Sequence, residues 1–319
     1  MARNTLPQVA APDSSPAEVS GRSLAVNLLV SIRPGQWTKN LLVFAGPLFG
    51  NASVGRSLFD ALSMERAVAA FVIFCALSSV VYLVNDVLDR DNDRRHPLKA
   101  MRPIASGAIS PATALTAAAV LAAVGLAGAF ALGSWFGMVA TAYLGLQTLY
   151  SGPLKQIVII DVLTIAVGFV LRAVAGAVAV EVDISHWLLV CTVLLALFIA
   201  LAKRRHELTL LADGAISHRP ILGEYTPYLL DQMIAIVTAS TLVAYAFYTI
   251  SPETEQKFGT DLLGLTMPFP LYGIFRYLYL MHRREGGGSP SDLLLTDRPL
   301  LACVALWALA VAVIIYRPL

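Results

Sequence analysis

Long uncharged stretches are the feature that most constrains how this chain can fold. The segment AVAAFVIFCALSSVVYLV, residues 67–84, runs for eighteen residues without a charge, and about 20 such residues cross a bilayer as an α-helix. Comparable stretches recur, and only 14% of the 319 residues are charged, against about 25% in soluble domains. We therefore exclude a soluble monomer and expect an all-α polytopic membrane protein, with a single transmembrane domain over residues 22–319.

Nine windows qualify as membrane spans. Their approximate bounds are 35–51, 67–88, 111–131, 135–150, 157–179, 186–202, 229–250, 264–282 and 299–316. The first window is short, and the amphipathic stretch SLAVNLLVSI before it predicts a helix along the membrane surface. Residues 1–21 lack the apolar core of a signal peptide, so we expect them to form a disordered cytoplasmic tail.

The distribution of Lys and Arg predicts the orientation of these spans. Seventeen of these residues fall in the N-terminal segment and every second loop, and four fall in the opposite loops. The positive-inside rule then places the N-terminus in the cytoplasm and the C-terminus outside, in the plasma membrane. A net charge of +2 gives no reason to expect a nucleic-acid partner. The oligomeric state is left open, and a homo-oligomer is compatible with the sequence.

Acidic side chains gather where the second span ends, in NDVLDRDNDRRHPLKAMRPIASG. If the helix continues, Asp86, Asp89 and Asp93 share one face, and Asn85 lies one turn from Asp89. Acids at this spacing repel one another, and their hard oxygen atoms favour Mg²⁺ held by carboxylates and substrate phosphates. The alternative is a solvated helix end whose acids are neutralised by Arg90, Arg94 and Arg95. Below, the aspartate motif means Asn85, Asp86, Asp89 and Asp93.

Basic side chains on the same face are candidates for binding phosphates. Lys99 and Arg102 follow the aspartate motif, and their alternative role is ordinary topological charge. Lys39, before the first span, fits a snorkelling cation and a phosphate ligand equally well. The segments YSGPLK and LAKRRHEL contribute further candidates, namely Tyr150, Lys155, Lys203 and Arg204.

Three charged residues fall inside predicted spans, where a charge is costly unless it is paired or hydrated. We expect Asp161 to lie in the same polar cavity as the aspartate motif and to contribute to substrate binding there. Arg276 lies near the inner end of the eighth span and is a further candidate for substrate binding. Arg172 is deeper, and we expect it to be a buried structural charge. The three cysteines lie in apolar runs and are expected to be packing residues.

The pattern N-D-x-x-D-x-x-x-D over residues 85–93, followed by RPIASG, resembles the UbiA superfamily of intramembrane prenyltransferases. Other segments resemble its branch of phosphoribosyltransferases that act on polyprenyl phosphates; they are RPGQWTKNLLVFAGPLF, YSGPLK, GFVLRAVAGAVA, LAKRRHEL, YGIFRYLYL and LLLTDRPLL. The resemblance implies nine helices around a polar cavity that faces the cytoplasm and opens sideways to lipid. It also implies transfer of 5-phosphoribose from phosphoribosyl diphosphate to a polyprenyl phosphate such as decaprenyl phosphate, for arabinan precursors of the cell wall.

The resemblance also implies roles for individual residues. It assigns the aspartate motif to Mg²⁺ and the donor diphosphate, with Asp86, Asp89 and Asp93 as the catalytic acids. It implies that phosphate groups of the substrates are contacted by Lys39, Tyr150, Lys155, Lys203 and Arg204. One departure from the superfamily pattern concerns the second acidic motif of relatives that use prenyl diphosphates: four residues after Asp161 stands Ile165. The resemblance therefore does not extend to a second complete metal-binding motif.

Two other functions remain open at this point. An aromatic prenyltransferase of the same superfamily would share the aspartate motif, but would more comfortably carry the second acidic motif as well. A secondary transporter would use intramembrane charges for coupling ions and predicts helices broken near the middle of the membrane. This chain instead gathers its polar groups at one face.

Overall fold

The computed structural model describes residues 22–95, 99–210, 220–283 and 296–316. The expected tail, residues 1–21, lies outside these ranges. Within them the chain is helical, without a β-strand. The α-helices are α1 (Leu24–Ser31), α2 (Ala45–Gly50), α3 (Ala61–Leu88), α4 (Arg90–Arg95), α5 (Pro103–Ser106), α6 (Pro111–Leu132), α7 (Ser134–Ser151), α8 (Ile160–Ala179), α9 (His186–Leu210), α10 (Pro227–Ile250), α11 (Pro252–Phe258), α12 (Pro268–Arg283) and α13 (Arg298–Tyr316). The 3₁₀ helices are Pro34–Phe44, Ala52–Val54, Lys99–Met101, Leu154–Gln156, Pro220–Glu224 and Leu262–Thr266.

Several of the long helices begin at a capping side chain. The Asp60 carboxylate accepts a hydrogen bond from the Ser63 backbone N at 3.0 Å at the start of α3. Ser110 and Thr226 cap α6 and α10 in the same way, and both helices have proline in their first turn. These residues satisfy amide groups that have no partner within the helix, and so they fix where each apolar stretch starts to wind.

Six of the described helices are long and apolar enough to cross a membrane: α3, α6, α8, α9 as far as Thr209, α10 and α13. They coincide with six of the nine predicted windows and confirm an all-helical membrane fold. Two further windows, 135–150 and 264–282, correspond to the shorter helices α7 and α12. The count of nine spans stays a prediction.

The first window, 35–51, does not form a regular α-helix. Residues Pro34–Phe44 wind as a 3₁₀ helix of 11 residues, although 3₁₀ runs longer than about four residues are uncommon. Below, this stretch is called the 3₁₀ segment. Its C-terminal end touches the backbone of α8, because a Cβ atom on Gly176 would lie only 1.9 Å from the Val43 carbonyl oxygen. Glycine is therefore required at this contact.

A buried arginine ties the 3₁₀ segment to two helices. Arg172 of α8 donates from Nε to Asn40 Oδ1 at 2.8 Å and from Nη2 to the Tyr143 hydroxyl at 2.7 Å. Its third guanidinium nitrogen donates to the Gly168 carbonyl oxygen at 2.8 Å, and the guanidinium lies 4.7 Å from the centre of the Tyr143 ring. Arg172 is buried, as expected for a structural charge, and neutral acceptors replace the water that it lacks.

Helix α8 lies between two apolar clusters. Val162 belongs to a cluster with residues of α9, α10 and α12. Ala175, closer to the other end of the helix, belongs to a cluster with residues of the 3₁₀ segment, α3 and α7. Helix α8 thus packs against α9, α10 and α12 near its start and against the 3₁₀ segment, α3 and α7 near its end.

Candidate active site

The aspartate motif lies across the junction of two helices. Helix α3 ends at Leu88, Asp89 caps it, and α4 begins at Arg90. The Asp93 backbone N donates to the Asp89 carbonyl oxygen at 2.8 Å, so the chain keeps a helical turn across the junction. The predicted continuous helix is interrupted at one residue.

Asp86 and Asp93 converge on a single nitrogen atom. Arg102 Nη1 lies 3.2 Å from Asp86 Oδ1 and 2.6 Å from Asp93 Oδ2. Asp86 also forms an ion pair with Arg33 through the same Oδ1. The two acids are 3% and 4% exposed, and two guanidinium groups offset their charges. The predicted shared face therefore exists for Asp86 and Asp93.

Arg33 was not predicted as a site residue. It directly precedes the 3₁₀ segment and has a left-handed backbone, φ 53°, and its guanidinium lies 5.2 Å from the centre of the Tyr82 ring. Burial lowers the pKa of Arg33, and the Asp86 carboxylate opposes that shift. The available signal was a cation directly before the first span in RPGQWTKN. Its acidic partner lies 53 residues away, and local sequence does not reveal such a partner.

The Asp89 carboxylate pairs with a different cation, Lys155. Its Oδ1 accepts a hydrogen bond from Lys155 Nζ at 3.0 Å, so a residue of the predicted phosphate-binding set lies beside the aspartate motif. Arg94, expected to neutralise the acids if they had no function, instead donates to the Ala105 carbonyl oxygen at 2.9 Å. Its nearest carboxylate contact is Asp91, at 3.8 Å.

A second buried cluster surrounds Arg204. Arg204 Nε contacts Asp161 Oδ2 at 2.8 Å, and its two terminal nitrogens contact Glu207 at 2.6 Å and the Tyr150 hydroxyl at 3.2 Å. The Tyr225 hydroxyl donates to Asp161 Oδ1 at 2.8 Å. Asp161 is 0% and Arg204 1% exposed. The intramembrane acid thus has an arginine partner 43 residues later in the chain, and Glu207 and Tyr225 join the cluster without having been predicted.

Lys99 lies within electrostatic reach of both clusters. Burial and then the Arg102 guanidinium lower the pKa of Lys99, while Asp93, Glu207 and Asp89 act in the opposite direction. The charge of Lys99 is therefore influenced by acids of the aspartate motif and by an acid of the Arg204 cluster. Seven of the predicted residues therefore meet in one polar region: Asn85, Asp86, Asp89, Asp93, Lys99, Arg102 and Lys155.

Of the remaining predicted residues, Lys203 contacts an acid of the Arg204 cluster, whereas Arg276 pairs with a separate acid. Arg276 forms an ion pair with Asp297, with contacts of 3.2 and 2.9 Å, and Asp297 also caps α13 through the Leu300 backbone N at 2.9 Å. Lys203 Nζ lies 3.9 Å from Glu207. Lys39 is half-buried on the 3₁₀ segment.

The donor set around the aspartate motif fits Mg²⁺ only in part. Within the described ranges, no three acids, histidines or cysteines come close enough together to hold a metal by themselves. Asn85 Oδ1 is buried and has no hydrogen-bond partner among the described residues, beside the converging acids Asp86 and Asp93. Mg²⁺ is commonly held by one or two carboxylates together with substrate phosphates and water. The site therefore suits a metal that arrives with a phosphate ligand.

An apolar cavity of about 500 Å³ lies between the 3₁₀ segment, α2, α9, α10, α12 and α13. Its walls are almost entirely apolar and include Leu41, Phe49, Leu195, Phe198, Gly273 and Trp307. Two free cysteines, Cys191 and Cys303, also line it. A cavity of this size and chemistry suits a hydrocarbon chain. The 3₁₀ segment connects the two regions, since Arg33, directly before it, contacts Asp86 and its own Leu41 lines the cavity.

Residues 43–294 match the UbiA prenyltransferase family, which is more than half of the chain. The chain belongs to the UbiA prenyltransferase family. It is 32% identical over 315 residues to a decaprenyl-phosphate phosphoribosyltransferase of Mycolicibacterium smegmatis, covering 95% of this chain and 97% of the relative. It is 33% identical over 289 residues to the protein of that name from Mycobacterium tuberculosis, covering 89% and 93%.

Solved structures of the family have the same fold. The structure of a UbiA homolog from Archaeoglobus fulgidus bound to GPP and Mg²⁺ superimposes with a TM-score of 0.71 at 19% identity. The match covers 92% of this chain and 100% of that one. This UbiA family member is thus an enzyme, a transferase integral to a membrane, and the resemblance expected from its sequence is confirmed.

Proposed function

We propose that this protein transfers 5-phosphoribose from phosphoribosyl diphosphate to a polyprenyl phosphate such as decaprenyl phosphate, releasing diphosphate. The observation that carries the proposal is the identity of 32% and 33% with decaprenyl-phosphate phosphoribosyltransferases over nearly the whole of both chains. The product would serve the synthesis of arabinan precursors for the cell wall. We place the site on the cytoplasmic face of the plasma membrane because Lys and Arg predominate on that side.

The chemistry of the site supports this donor. Phosphoribosyl diphosphate carries a diphosphate and a 5-phosphate, and so it needs several cations. Arg33, Arg102, Lys99 and Lys155 lie around the aspartate motif and provide them. Guanidinium groups bind phosphate oxygens through paired hydrogen bonds, and a lysine acts as a point charge.

The acceptor needs no general base. A phosphate monoester has its second pKa near 6 and is therefore an anion at neutral pH. Its oxygen forms a bond with C1 of the ribose as the bond from C1 to the diphosphate breaks, and positive charge develops on the sugar. The basic residues orient the diphosphate and stabilise the negative charge that it gains. When bound by the aspartate motif, Mg²⁺ supplies further charge neutralisation for this leaving group.

The apolar cavity supports a long isoprenoid acceptor. Its walls come from the 3₁₀ segment, which directly follows Arg33 beside Asp86, and from α2, α9, α10, α12 and α13. A polyprenyl chain in the cavity would hold its phosphate near the basic residues. Productive positioning of two reactants lowers the barrier without any additional catalytic group.

A paired assay tests the proposal. Purified protein with Mg²⁺ receives labelled phosphoribosyl diphosphate and decaprenyl phosphate, and a parallel sample receives labelled prenyl diphosphate and 4-hydroxybenzoate. We expect labelled lipid only in the first reaction and its loss when EDTA removes the metal. Product in the second reaction alone would identify an aromatic prenyltransferase. Absence of product in both, from protein that is folded by thermal melting, would contradict the proposal and leave a transporter to be tested by substrate uptake into vesicles.

A further inference from the structure

The guanidinium of Arg102 lies between the carboxylates of Asp86 and Asp93. One nitrogen, Nη1, contacts a carboxylate oxygen of each acid, at 3.2 and 2.6 Å. Arg33 contacts the same oxygen of Asp86. Both carboxylates are buried, so without a bound ligand their charges are offset from within the protein.

We propose that Arg102, assisted by Arg33, is a positioning residue that competes with the metal and makes metal and donor bind together. In the free enzyme the two arginines hold Asp86 and Asp93. In the loaded enzyme they turn to the diphosphate of the donor and release the acids to the metal. The proposal rests on the proposed function for the identity of the donor, while the competition itself concerns only the residues of this chain.

The reason is electrostatic. A divalent ion that binds Asp86 and Asp93 without an anion must displace Arg102 from both acids, and a half-buried guanidinium then lacks a counter-ion. Leaving a charge unpaired in such a place is costly. A diphosphate removes this cost because its oxygens accept hydrogen bonds from both guanidinium groups. Each ligand therefore strengthens binding of the other, and by linkage the two effects are equal.

Metal binding without any phosphate gives the first test. Mn²⁺ replaces Mg²⁺, and free Mn²⁺ is counted by electron paramagnetic resonance in titrations of wild type, Arg102→Gln and Arg94→Gln. The control residue, Arg94, is an arginine of α4 that contacts Asp91 and the Ala105 carbonyl oxygen instead of Asp86 and Asp93. We expect Arg102→Gln to bind Mn²⁺ about fivefold or more tightly than wild type, since allosteric couplings are typically about 5- to 150-fold. Arg94→Gln should match wild type, and Asp86→Asn in the Arg102→Gln background should abolish the binding.

Inorganic diphosphate gives the second test, because it does not depend on which sugar the enzyme uses. Binding of ³²P-diphosphate is measured with and without Mg²⁺. In wild type, Mg²⁺ should raise the affinity for diphosphate by about 5- to 150-fold. In Arg102→Gln and Arg33→Gln this increase should be smaller. The Arg33 variant also provides the Mn²⁺ test if Arg102→Gln fails to fold.

Two results would overturn the inference. One is equal Mn²⁺ affinity in wild type, Arg102→Gln and Arg33→Gln, and the other is an equal gain in Arg94→Gln, which would indicate a general effect of charge. Neither result bears on the transfer reaction, which is measured separately on wild type with phosphoribosyl diphosphate. A failure of that assay with the Mn²⁺ result intact would contradict the donor and preserve the competition.

Discussion

Asp86 is the residue at which the ionic contacts of the site meet. It accepts hydrogen bonds from Arg33 and Arg102 and is 3% exposed. Asparagine has the same shape and its Oδ1 can accept both hydrogen bonds, but it has no charge. A change from Asp86 to asparagine therefore isolates the role of the negative charge from the role of packing.

We expect Asp86→Asn to lower the rate of phosphoribosyl transfer by about 100-fold or more, since loss of a preorganised electrostatic contact typically costs that much. The measurement is incorporation of label into lipid at saturating donor. Asp91→Asn is the matched control, because Asp91 lies on α4 but its side chain is 86% exposed. Near-normal activity in Asp86→Asn, or equal losses in both variants, would contradict the assignment of Asp86.

The lowered pKa of Lys99 leads us to expect that KM for the donor depends on pH. Burial and Arg102 hold its pKa below the usual 10.5, so Lys99 loses its proton at a lower pH than an exposed lysine. Because only the charged ammonium attracts phosphate, KM for the donor should rise as the pH increases through this lowered pKa. Lys99→Arg should move the rise to higher pH, because arginine keeps its charge. Identical profiles of KM against pH in the two proteins would remove Lys99 from the phosphate contacts.

At the scale of helices, length and composition carry most of the information. Apolar stretches of spanning length were predictable because membrane helices need no long-range contact to define them. The winding of the 3₁₀ segment was not predicted, and neither was the close backbone contact of its Val43 with Gly176, more than a hundred residues away. Within the site, helical spacing predicted that Asp86 and Asp93 share a face. The pairing of Arg33 with Asp86 could be recognised only in the folded structure.

Gly176→Ala tests the contact between the 3₁₀ segment and α8. A Cβ atom there would lie 1.9 Å from the Val43 carbonyl oxygen, and overpacking of this kind typically costs about 1–3 kcal/mol. We expect a melting temperature several degrees lower in detergent. Gly128→Ala on α6 is the control, because its Cβ would meet Ile73 at an ordinary 3.6 Å. If both variants melt like wild type, the two backbones are not in close contact.

The whole molecule combines a polar site with an apolar cavity, and its long-range pairings were beyond the reach of sequence. Charge distribution predicted that cations gather at one face. It did not predict that Lys155 would pair with Asp89, 66 residues away, or Arg204 with Asp161, 43 residues away. Such pairings depend on how helices are arranged around α8, and periodicity within one helix carries no information about that arrangement.

Gly273→Phe tests whether the cavity holds the acceptor chain. The nearest atoms to a Cβ at Gly273 are 3.9 Å away, so a benzyl group would extend into the cavity. We expect KM for decaprenyl phosphate to rise about tenfold, in line with the cost of overfilling a cavity, with a smaller effect for a short-chain acceptor. Gly145→Phe, at an exposed position of α7 with open space around its Cβ, should leave KM unchanged. If Gly273→Phe leaves KM for decaprenyl phosphate unchanged, or raises KM by the same factor for both acceptors, the lipid chain binds elsewhere.

Tighter winding has a geometric consequence for the start of the chain. A 3₁₀ helix rises about 2.0 Å per residue and an α-helix about 1.5 Å. The 11 residues of Pro34–Phe44 and the 6 of Ala45–Gly50 together extend about 31 Å, whereas the same stretch wound entirely as an α-helix would reach only about 26 Å. The first predicted span, 35–51, would need this greater rise to match the roughly 30 Å thickness of the lipid interior.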